Sequence, residues 1–298
     1  AGAIVIATAN MDEFAMGSSN EHSAHGPVLN PHDTSRVSGG SSGGSAVACT
    51  LGFAPLTLGS DTGGSVRLPS SFCGIFGFKP TYGRVSRFGL VAYGSSLDQI
   101  SPFARSSDDL DRIMQIIGKQ DSNDATSLEG SYSSQLGKSS FKDIKIGVPR
   151  KLLSHGIDKN VSDCFTQLET EMKKRGVTFI DVDLEGIEHT LSVYYIIACA
   201  EASSNLARFD GIRFGSRAEK FEDLQDLYSA TRSAGFGAEV KKRIMLGTYA
   251  LSSGYYDAYY GRAQSVRNLM KNSFKKVFEQ VDFIYLPTGP SSAFKCGE

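Results

Sequence analysis

The chain has 298 residues, of which 40% are apolar and 21% charged, and its 31 basic and 32 acidic residues give a net charge of −1. This balance excludes the basic surface that tight nucleic-acid binding by this chain alone would need. No apolar run approaches the roughly 20 residues that span a bilayer. The five cysteines are scattered without a Cys-x-x-Cys pair, which argues against a disulfide framework or a zinc site and favours a reducing compartment.

The first hundred residues are rich in glycine and serine and contain short apolar runs. The run at 1–7 (AGAIVIA) and the run at 55–58 (PLTL) each predict a buried strand. Residues 45–51 lie between glycines and predict a short helix. Neither end of the sequence has the character of a natural terminus, so we expect the chain to be a fragment cut from both sides.

A capped helix and a polar segment come next. Residues 106–118 predict a helix that begins at a Ser-Ser-Asp-Asp cap. Its apolar face is formed by Leu110, Ile113, Ile116 and Ile117. The polar residues at 119–140 predict a connector on the surface.

A β-α-β unit follows the connector. Residues 145–148 and 177–182 have strand patterns, and the helix between them ends at Gly176. One face of this helix carries Val161, Cys164, Phe165, Leu168 and Met172. The region from about 190 to 280 is rich in helix patterns, including 240–244 and 263–278. This alternation predicts an α/β fold.

The residues most able to carry chemistry lie in two glycine–serine clusters, at 39–45 (GGSSGGS) and 59–67 (GSDTGGSVR). So many glycines are costly in conformational entropy. They suit places where backbone N–H groups converge on an anion or where the backbone passes close to a ligand. A pair of surface turns is the alternative. A phosphate-binding P-loop is excluded, since neither cluster is followed by the lysine that it needs.

Two nucleophile hypotheses remain. A nucleophile elbow, G-x-S-x-G, is matched at 40–44 and would make Ser42 the nucleophile. It needs a downstream histidine, and His155 and His189 both lie in polar stretches typical of a surface. Alternatively, both clusters act together: a second serine relays the proton of the nucleophile to a lysine whose pKa is lowered by burial. The backbone just before Ser65 would then offer N–H groups to the developing oxyanion.

A family resemblance favours the second hypothesis. Residues 39–45, 63–69, 72–74 and 77–81 together resemble the amidase signature, and the step of 24 residues from Ser41 to Ser65 fits its spacing. Within that family, the chain resembles the A subunits of glutamyl-tRNA(Gln) amidotransferases at 10–19, 82–90 and 251–260. The resemblance covers nearly the whole chain. It implies an amidase-signature fold with a mixed β-sheet core covered by helices on both faces, in a single domain at 1–298 that is incomplete at both termini.

The resemblance also implies roles for the two clusters. Ser65 would be the nucleophile that accepts the acyl group, and Ser41 the bridging serine, in the setting of a cis peptide bond. The backbone at Thr62, Gly63 and Gly64 would form the oxyanion hole.

Further roles concern the substrate. Arg243 would pair with the α-carboxylate of the substrate, for which a planar guanidinium is suited. Met16 and Gly17 would line a glutamine pocket. Without the resemblance, Arg243 would be taken for an ordinary arginine on a surface helix.

Two parts of the family's site are missing from this sequence. The catalytic lysine of the family would precede residue 1, and the acidic residue that holds the α-amino group of glutamine would lie beyond Glu298. We therefore expect the chain alone to be inactive, even with Ser65 in place.

The resemblance implies a glutaminase subunit that hydrolyses glutamine through an acyl-enzyme on Ser65. Its ammonia would pass to a B subunit that binds ATP and Mg and converts Glu-tRNA(Gln) to Gln-tRNA(Gln), and a third small subunit would be a further partner. No cofactor, metal or membrane is expected for this chain. The alternatives are a stand-alone amidase of small carboxamides and a non-catalytic assembly subunit. We expect a mitochondrial matrix location, with the bacterial cytoplasm as the alternative.

Overall fold

The computed structural model describes residues 2–134 and 140–298. Its α-helices are α1 (Gly43–Thr50), α2 (Arg67–Cys73), α3 (Ser107–Ile117), α4 (Arg150–Leu153), α5 (Lys159–Lys174), α6 (Thr190–Asn205), α7 (Leu224–Gly235), α8 (Ala238–Ala250) and α9 (Arg262–Phe278). Its strands are β1 (Leu56–Asp61), β2 (Phe76–Gly77), β3 (Gln99–Ala104), β4 (Lys145–Val148), β5 (Thr178–Asp181) and β6 (Phe283–Ile284).

The first sheet is antiparallel, with the strand order β1-β3-β2. Helices α1 and α2 pack beside it around a small core of Ala46, Cys49, Val66, Cys73 and Phe103. Strand β1 ends at Asp61, inside the second glycine cluster, and α1 begins inside the first. The sheet therefore holds the two clusters together at one end of β1.

The second sheet is parallel, with β4 between β5 and β6. Helix α5 connects β4 to β5, which confirms the predicted β-α-β unit. The α/β class is thus confirmed, but the described strands lie in two separate sheets, one antiparallel and one parallel.

Helices α6, α8 and α9 form the layer that carries the rest of the site. Helices α6 and α8 lie very close together, because Gly247 of α8 faces the backbone of Cys199 and has no room for a side chain. The core between these helices and the N-terminal segment consists of Met16, Tyr93, Ala198, Ala202, Leu206, Phe236 and Val240. Among the described residues, no helix is both long enough and apolar enough to cross a membrane.

Three sequence predictions differ from the structure. The run at 1–7 does not form a buried strand in its described part, since residues 2–7 pair with no strand and the exposed fractions of Ile4 and Val5 are 89% and 83%. In α3 the buried side chain is Met114, while Ile116 is 47% exposed. The apolar face of α5 stays largely uncovered, and Leu168 is 50% exposed. In each case burial depends on a neighbouring element that the local pattern does not specify.

The polar segment at 119–140 is described except for residues 135–139. It contains an isolated bridge between Lys119 and Ser131. Its aspartates accept hydrogen bonds from the preceding loop: Ser86 Oγ donates to Asp121 at 2.7 Å, and Arg87 N to Asp124 at 2.7 Å.

Candidate active site

The two glycine–serine clusters meet at Ser41 and Ser65. The backbone N–H of Ser42 donates to the carbonyl oxygen of Ser65 at 3.1 Å, which joins the two loops directly. The peptide bond between Gly40 and Ser41 is cis. Ser41 is fully buried, and its Oγ has no hydrogen-bond partner in the described part of the chain. Ser65 is 8% exposed.

The carboxylate of Asp61 shapes the loop that carries Ser65. It accepts hydrogen bonds from the N–H groups of Gly64 (2.8 Å), Val66 (3.1 Å) and Arg67 (3.2 Å). The Arg67 guanidinium completes this set through Nε at 3.0 Å and Nη2 at 2.8 Å. Burial alone would raise the pKa of Asp61, but the hydrogen bonds and charge of Arg67 and the backbone N–H donors hold it below its ordinary value. Asp61 thus remains an anion that fixes the turn.

The predicted oxyanion-hole residues are not equivalent. The N–H of Gly64 is already bound to Asp61, whereas those of Thr62, Gly63 and Ser65 have no acceptor within the described residues. Gly64 has a φ of +130°, which only glycine adopts without strain. A Cβ on Gly63 would lie 2.5 Å from the ring of Tyr194. Free N–H donors in a rigid, close-packed loop suit the stabilisation of an oxyanion.

The N-terminal segment closes over the cis peptide bond. Asp12 is fully buried and accepts hydrogen bonds from the N–H groups of Asn20 and His22, each at 2.9 Å. The backbone N–H of Asp12 in turn donates to the carbonyl oxygen of Ser41 at 3.1 Å. Burial raises the pKa of Asp12. Since Gly40 and Gly17 both lie against this carboxylate, neither position has room for a side chain.

Arg243 on α8 lies on the other side of the same segment. It is 3% exposed, and its three bonds are Nη2 to Gly17 O (2.7 Å), Nη1 to Tyr93 Oη (2.9 Å) and Nε to Glu239 Oε1 (2.8 Å). A Cβ on Gly17 would lie 3.0 Å from the Ser41 nitrogen. Gly17 thus adjoins both Arg243 and Ser41. A buried guanidinium with fixed orientation is suited to bind a carboxylate.

The sequence profile of the Amidase family matches residues 1–298, the whole of this chain. The chain belongs to the amidase family.

Relatives of this amidase include two bacterial proteins that are named as the A subunit of glutamyl-tRNA(Gln) amidotransferase. The protein from Sulfurihydrogenibium sp. is 51% identical over 300 residues, and that from Thermoanaerobacter pseudethanolicus is 53% identical over 300 residues. The matches cover 100% of this chain but 62% and 61% of those proteins, so the chain spans less than two thirds of their length.

Solved structures agree with this assignment. The crystal structure of the glutamyl-tRNA(Gln) amidotransferase A subunit from Thermotoga maritima is 42% identical, with a TM-score of 0.81 over 99% of this chain and 60% of that chain. A solved amidase is 31% identical, with a TM-score of 0.79 over 100% of this chain and 59% of that chain. The amidase-signature fold expected from the sequence is confirmed.

The geometry around this amidase site bears on the other residues singled out from the sequence. Met16 is fully buried in the hydrophobic core, so its side chain does not line an open pocket, whereas Gly17 lies between Ser41 and Arg243. Arg243 is not a surface arginine, contrary to the simpler interpretation of its helix. The roles of Ser65 and Ser41 as nucleophile and bridging serine stay predictions.

The structure gives no support to Ser42 as a nucleophile. Its Oγ donates to the carbonyl oxygen of Ser60 and accepts from the N–H of Ser60, both at 3.2 Å. Ser42 therefore ties α1 to strand β1. His155 and His189, which the elbow hypothesis needs, are exposed.

Sequence reasoning missed several side chains of the amidase site. These are Asp12, Asn20, Tyr93, Asp98 and Tyr194. They are scattered along the chain and converge only in the fold. The one available signal was Asp12 and Asn20, which lie in or beside the 10–19 segment already quoted for the resemblance. Within the described residues, no three His, Cys, Asp or Glu side chains are grouped to hold a metal ion.

Proposed function

We propose that this chain is the glutamine-hydrolysing part of a glutamyl-tRNA(Gln) amidotransferase A subunit. The observation that carries the proposal is the position of Gly17, which contacts both the loop of Ser41 and the buried Arg243. This arrangement brings a serine pair and a carboxylate-binding arginine to one site. Glutamine needs both, because its amide is cleaved while its α-carboxylate is held. The names of the relatives support the same substrate.

In the proposed reaction, Ser65 Oγ attacks the side-chain carbonyl carbon of glutamine. Its proton passes through Ser41 Oγ to a base, and the base returns a proton to the nitrogen, so that ammonia leaves and a γ-glutamyl ester remains on Ser65. Water then hydrolyses the ester by the same proton path. The free N–H groups of Thr62, Gly63 and Ser65 are the donors proposed for the oxyanion, with Gly64 holding the loop through Asp61.

The base is proposed to be a lysine outside residues 1–298. Ser41 Oγ supports this, because it is fully buried and lacks a partner within the described residues. A buried hydroxyl without a partner is unfavourable, so its position suits a group that another segment supplies.

The partners are proposed from the relatives. A B subunit would receive the ammonia, bind ATP and Mg, and amidate Glu-tRNA(Gln), and a third small subunit would complete the complex. This chain would need no cofactor of its own. The proposed location is the mitochondrial matrix, and the bacterial relatives favour the alternative of a bacterial cytoplasm.

The test is the release of ammonia from glutamine by the full-length protein assembled with its B subunit. Ser65→Ala should reduce the rate by about 10⁴-fold or more, since members of a catalytic triad act as a unit. Ser71→Ala is the matched control, because Ser71 is an exposed serine of the neighbouring helix α2.

Each alternative gives a different result. A stand-alone amidase would hydrolyse small carboxamides when the B subunit is absent, and it would show no preference for glutamine. A non-catalytic assembly subunit would form the complex but leave the rate unchanged in Ser65→Ala. Near-normal activity of Ser65→Ala would refute the proposed nucleophile.

A further inference from the structure

Asp98 is a buried carboxylate without an assigned role, and it contacts the proposed oxyanion loop. It is 2% exposed. Its Oδ1 accepts from Thr62 Oγ1 at 2.7 Å and from the N–H of Gly94 at 3.0 Å, and its Oδ2 accepts from the N–H of Tyr93 at 2.9 Å. One carboxylate therefore joins the loop before Ser65 to the turn at 93–98.

The same turn reaches the proposed carboxylate site through the side chain of Tyr93. The Tyr93 hydroxyl accepts from Arg243 Nη1 at 2.9 Å, and the ring is only 1% exposed. A continuous path thus runs from Thr62 through Asp98 and Tyr93 to Arg243. Each link is a hydrogen bond between buried groups or the rigid phenol ring itself.

Helices α6 and α9 fix the turn from outside. Glu201 accepts from the N–H of Ser96 at 2.9 Å, and Asn205 Nδ2 donates to the carbonyl oxygen of Tyr93 at 3.0 Å. Arg267 of α9 donates to the hydroxyl of Ser96 at 2.8 Å and to its carbonyl oxygen at 3.0 Å. The turn is therefore a rigid mount to which Asp98 attaches the oxyanion loop.

A substrate that is held at two points needs this rigidity. In glutamine, the number of bonds between the α-carboxylate and the side-chain carbonyl is fixed. The carbonyl meets the oxyanion donors only if the distance from Thr62 to Arg243 matches the substrate. A displacement of about 1 Å at a reacting group can cost about 100-fold in rate.

We propose that Asp98 is a positioning residue that fixes the oxyanion loop at Thr62 relative to the carboxylate-binding Arg243. The proposal rests on the proposed glutaminase function. It makes Asp98 more important for an amide that carries an α-carboxylate than for one that does not.

The test compares glutamine with butyramide, a four-carbon primary amide without the carboxylate or amino group. Both are assayed in the full-length complex as kcat/KM for ammonia release. Asp98→Asn keeps the size of the side chain, but either orientation of the amide turns an NH₂ group towards a backbone N–H. We expect kcat/KM to fall about 100-fold for glutamine and about 10-fold or less for butyramide. Asp163→Asn, an exposed aspartate on α5, should change neither value.

A second pair of variants covers the case that Asp98→Asn folds poorly. Thr62→Val removes only the hydroxyl that donates to Asp98, and Thr62→Ser keeps it. Thr62→Val should show the same selective loss on glutamine, and Thr62→Ser should stay within about threefold of the wild type. Tyr93→Phe should raise KM for glutamine and leave butyramide unchanged. Its loss should not multiply with that of Asp98→Asn, because both act on one path.

Equal losses on both amides, or losses of Asp98→Asn and Tyr93→Phe that simply multiply, would overturn the positioning role. Failure of the proposed function would look different. The wild-type complex would then hydrolyse butyramide at least as well as glutamine, while the change in the ratio of the two substrates in Asp98→Asn would still decide the role of Asp98.

Discussion

The buried carboxylates around the two serines differ in what compensates their burial. Asp61 has the guanidinium of Arg67, and its pKa is held below the ordinary value of 3.8. Asp12 and Asp98 have only N–H and hydroxyl donors, and burial raises the pKa of both. Asp61 therefore releases its proton more readily on folding, and Asp12 and Asp98 hold theirs more tightly. Their contributions to stability have opposite signs on the acid side.

We predict that Asp61→Asn destabilises the protein by about 2 to 4 kcal/mol at pH 7, since it leaves Arg67 and several backbone N–H groups without their acceptor. The value lies below that of a fully buried pair because the Arg67 side chain is 47% exposed. The measurement is the free energy of unfolding in urea. Since the folded-state pKa of Asp61 is lowered, the gap to the wild type should be complete above the ordinary pKa of 3.8 and should close as the pH falls through the folded-state value.

Asp33→Asn is the control for this prediction, because Asp33 pairs with Arg36 at 3.0 Å on the surface. It should leave the urea midpoint almost unchanged. A gap for Asp61→Asn that widens towards low pH would contradict the assigned sign.

Arg243 is the second residue with a quantitative prediction. Its guanidinium bonds to Gly17, Tyr93 and Glu239 at once, and a lysine ammonium cannot reproduce that planar geometry. Arg243→Lys should raise KM for glutamine about 10- to 100-fold, with a smaller effect on kcat. Steady-state ammonia release by the assembled complex measures both constants.

The control for Arg243→Lys is Arg262→Lys, at an exposed position near the start of α9. An unchanged KM in Arg243→Lys would remove Arg243 from the substrate site. A thermal unfolding curve of each variant separates a lost contact from a lost fold.

At the scale of elements, the site depends on loops that approach their neighbours too closely for any side chain. Gly40 and Gly17 lie against Asp12, and Gly63 lies against Tyr194 of helix α6. The cost of glycine in the unfolded chain is thus matched by contacts that only glycine permits. These close approaches fix the two serine loops between the N-terminal segment and α6.

We predict that Gly63→Ala lowers the glutaminase rate about 10-fold or more. Its Cβ would lie 2.5 and 2.8 Å from two carbons of the Tyr194 ring, so the loop before Ser65 or α6 must shift. Ammonia release and the melting temperature should both be measured.

Gly235→Ala is the matched control, because a Cβ there meets no atom within 4 Å. It should leave the rate unchanged and keep or slightly raise the melting temperature. Full activity of Gly63→Ala would show that the loop tolerates displacement and that its donors need no fixed position.

At the scale of the whole molecule, the proton path is the unfinished part of the site. Ser41 Oγ is buried and unpartnered in the described part of the chain. We predict that residues 1–298 alone release no ammonia from glutamine above the rate of a Ser65→Ala sample. The measurement is a long incubation with sensitive ammonia detection, alongside circular dichroism to check that the chain is folded. Turnover that Ser65→Ala abolishes would mean that the base lies within these residues.

The sequence by itself predicted the features that depend on neighbours along the chain. The cap at Ser106 accepts from the N–H of Asp109, the β-α-β unit at 145–182 is present, and α9 agrees with the prediction at 263–278. The family assignment was also predicted, since the two clusters and their spacing lie on adjacent stretches of sequence. Local hydrogen bonding and periodicity determine such features.

Only the tertiary structure decided which residues meet. The exposure of Ile4 and Val5, the burial of Arg243 and the path through Asp98 depend on contacts between segments up to 226 residues apart, as for Arg243 and Gly17. An apolar run is buried only if another element covers it, and a charged side chain is buried only if distant donors and acceptors compensate it. Such compensation comes from the whole fold, because no single stretch of sequence contains both partners.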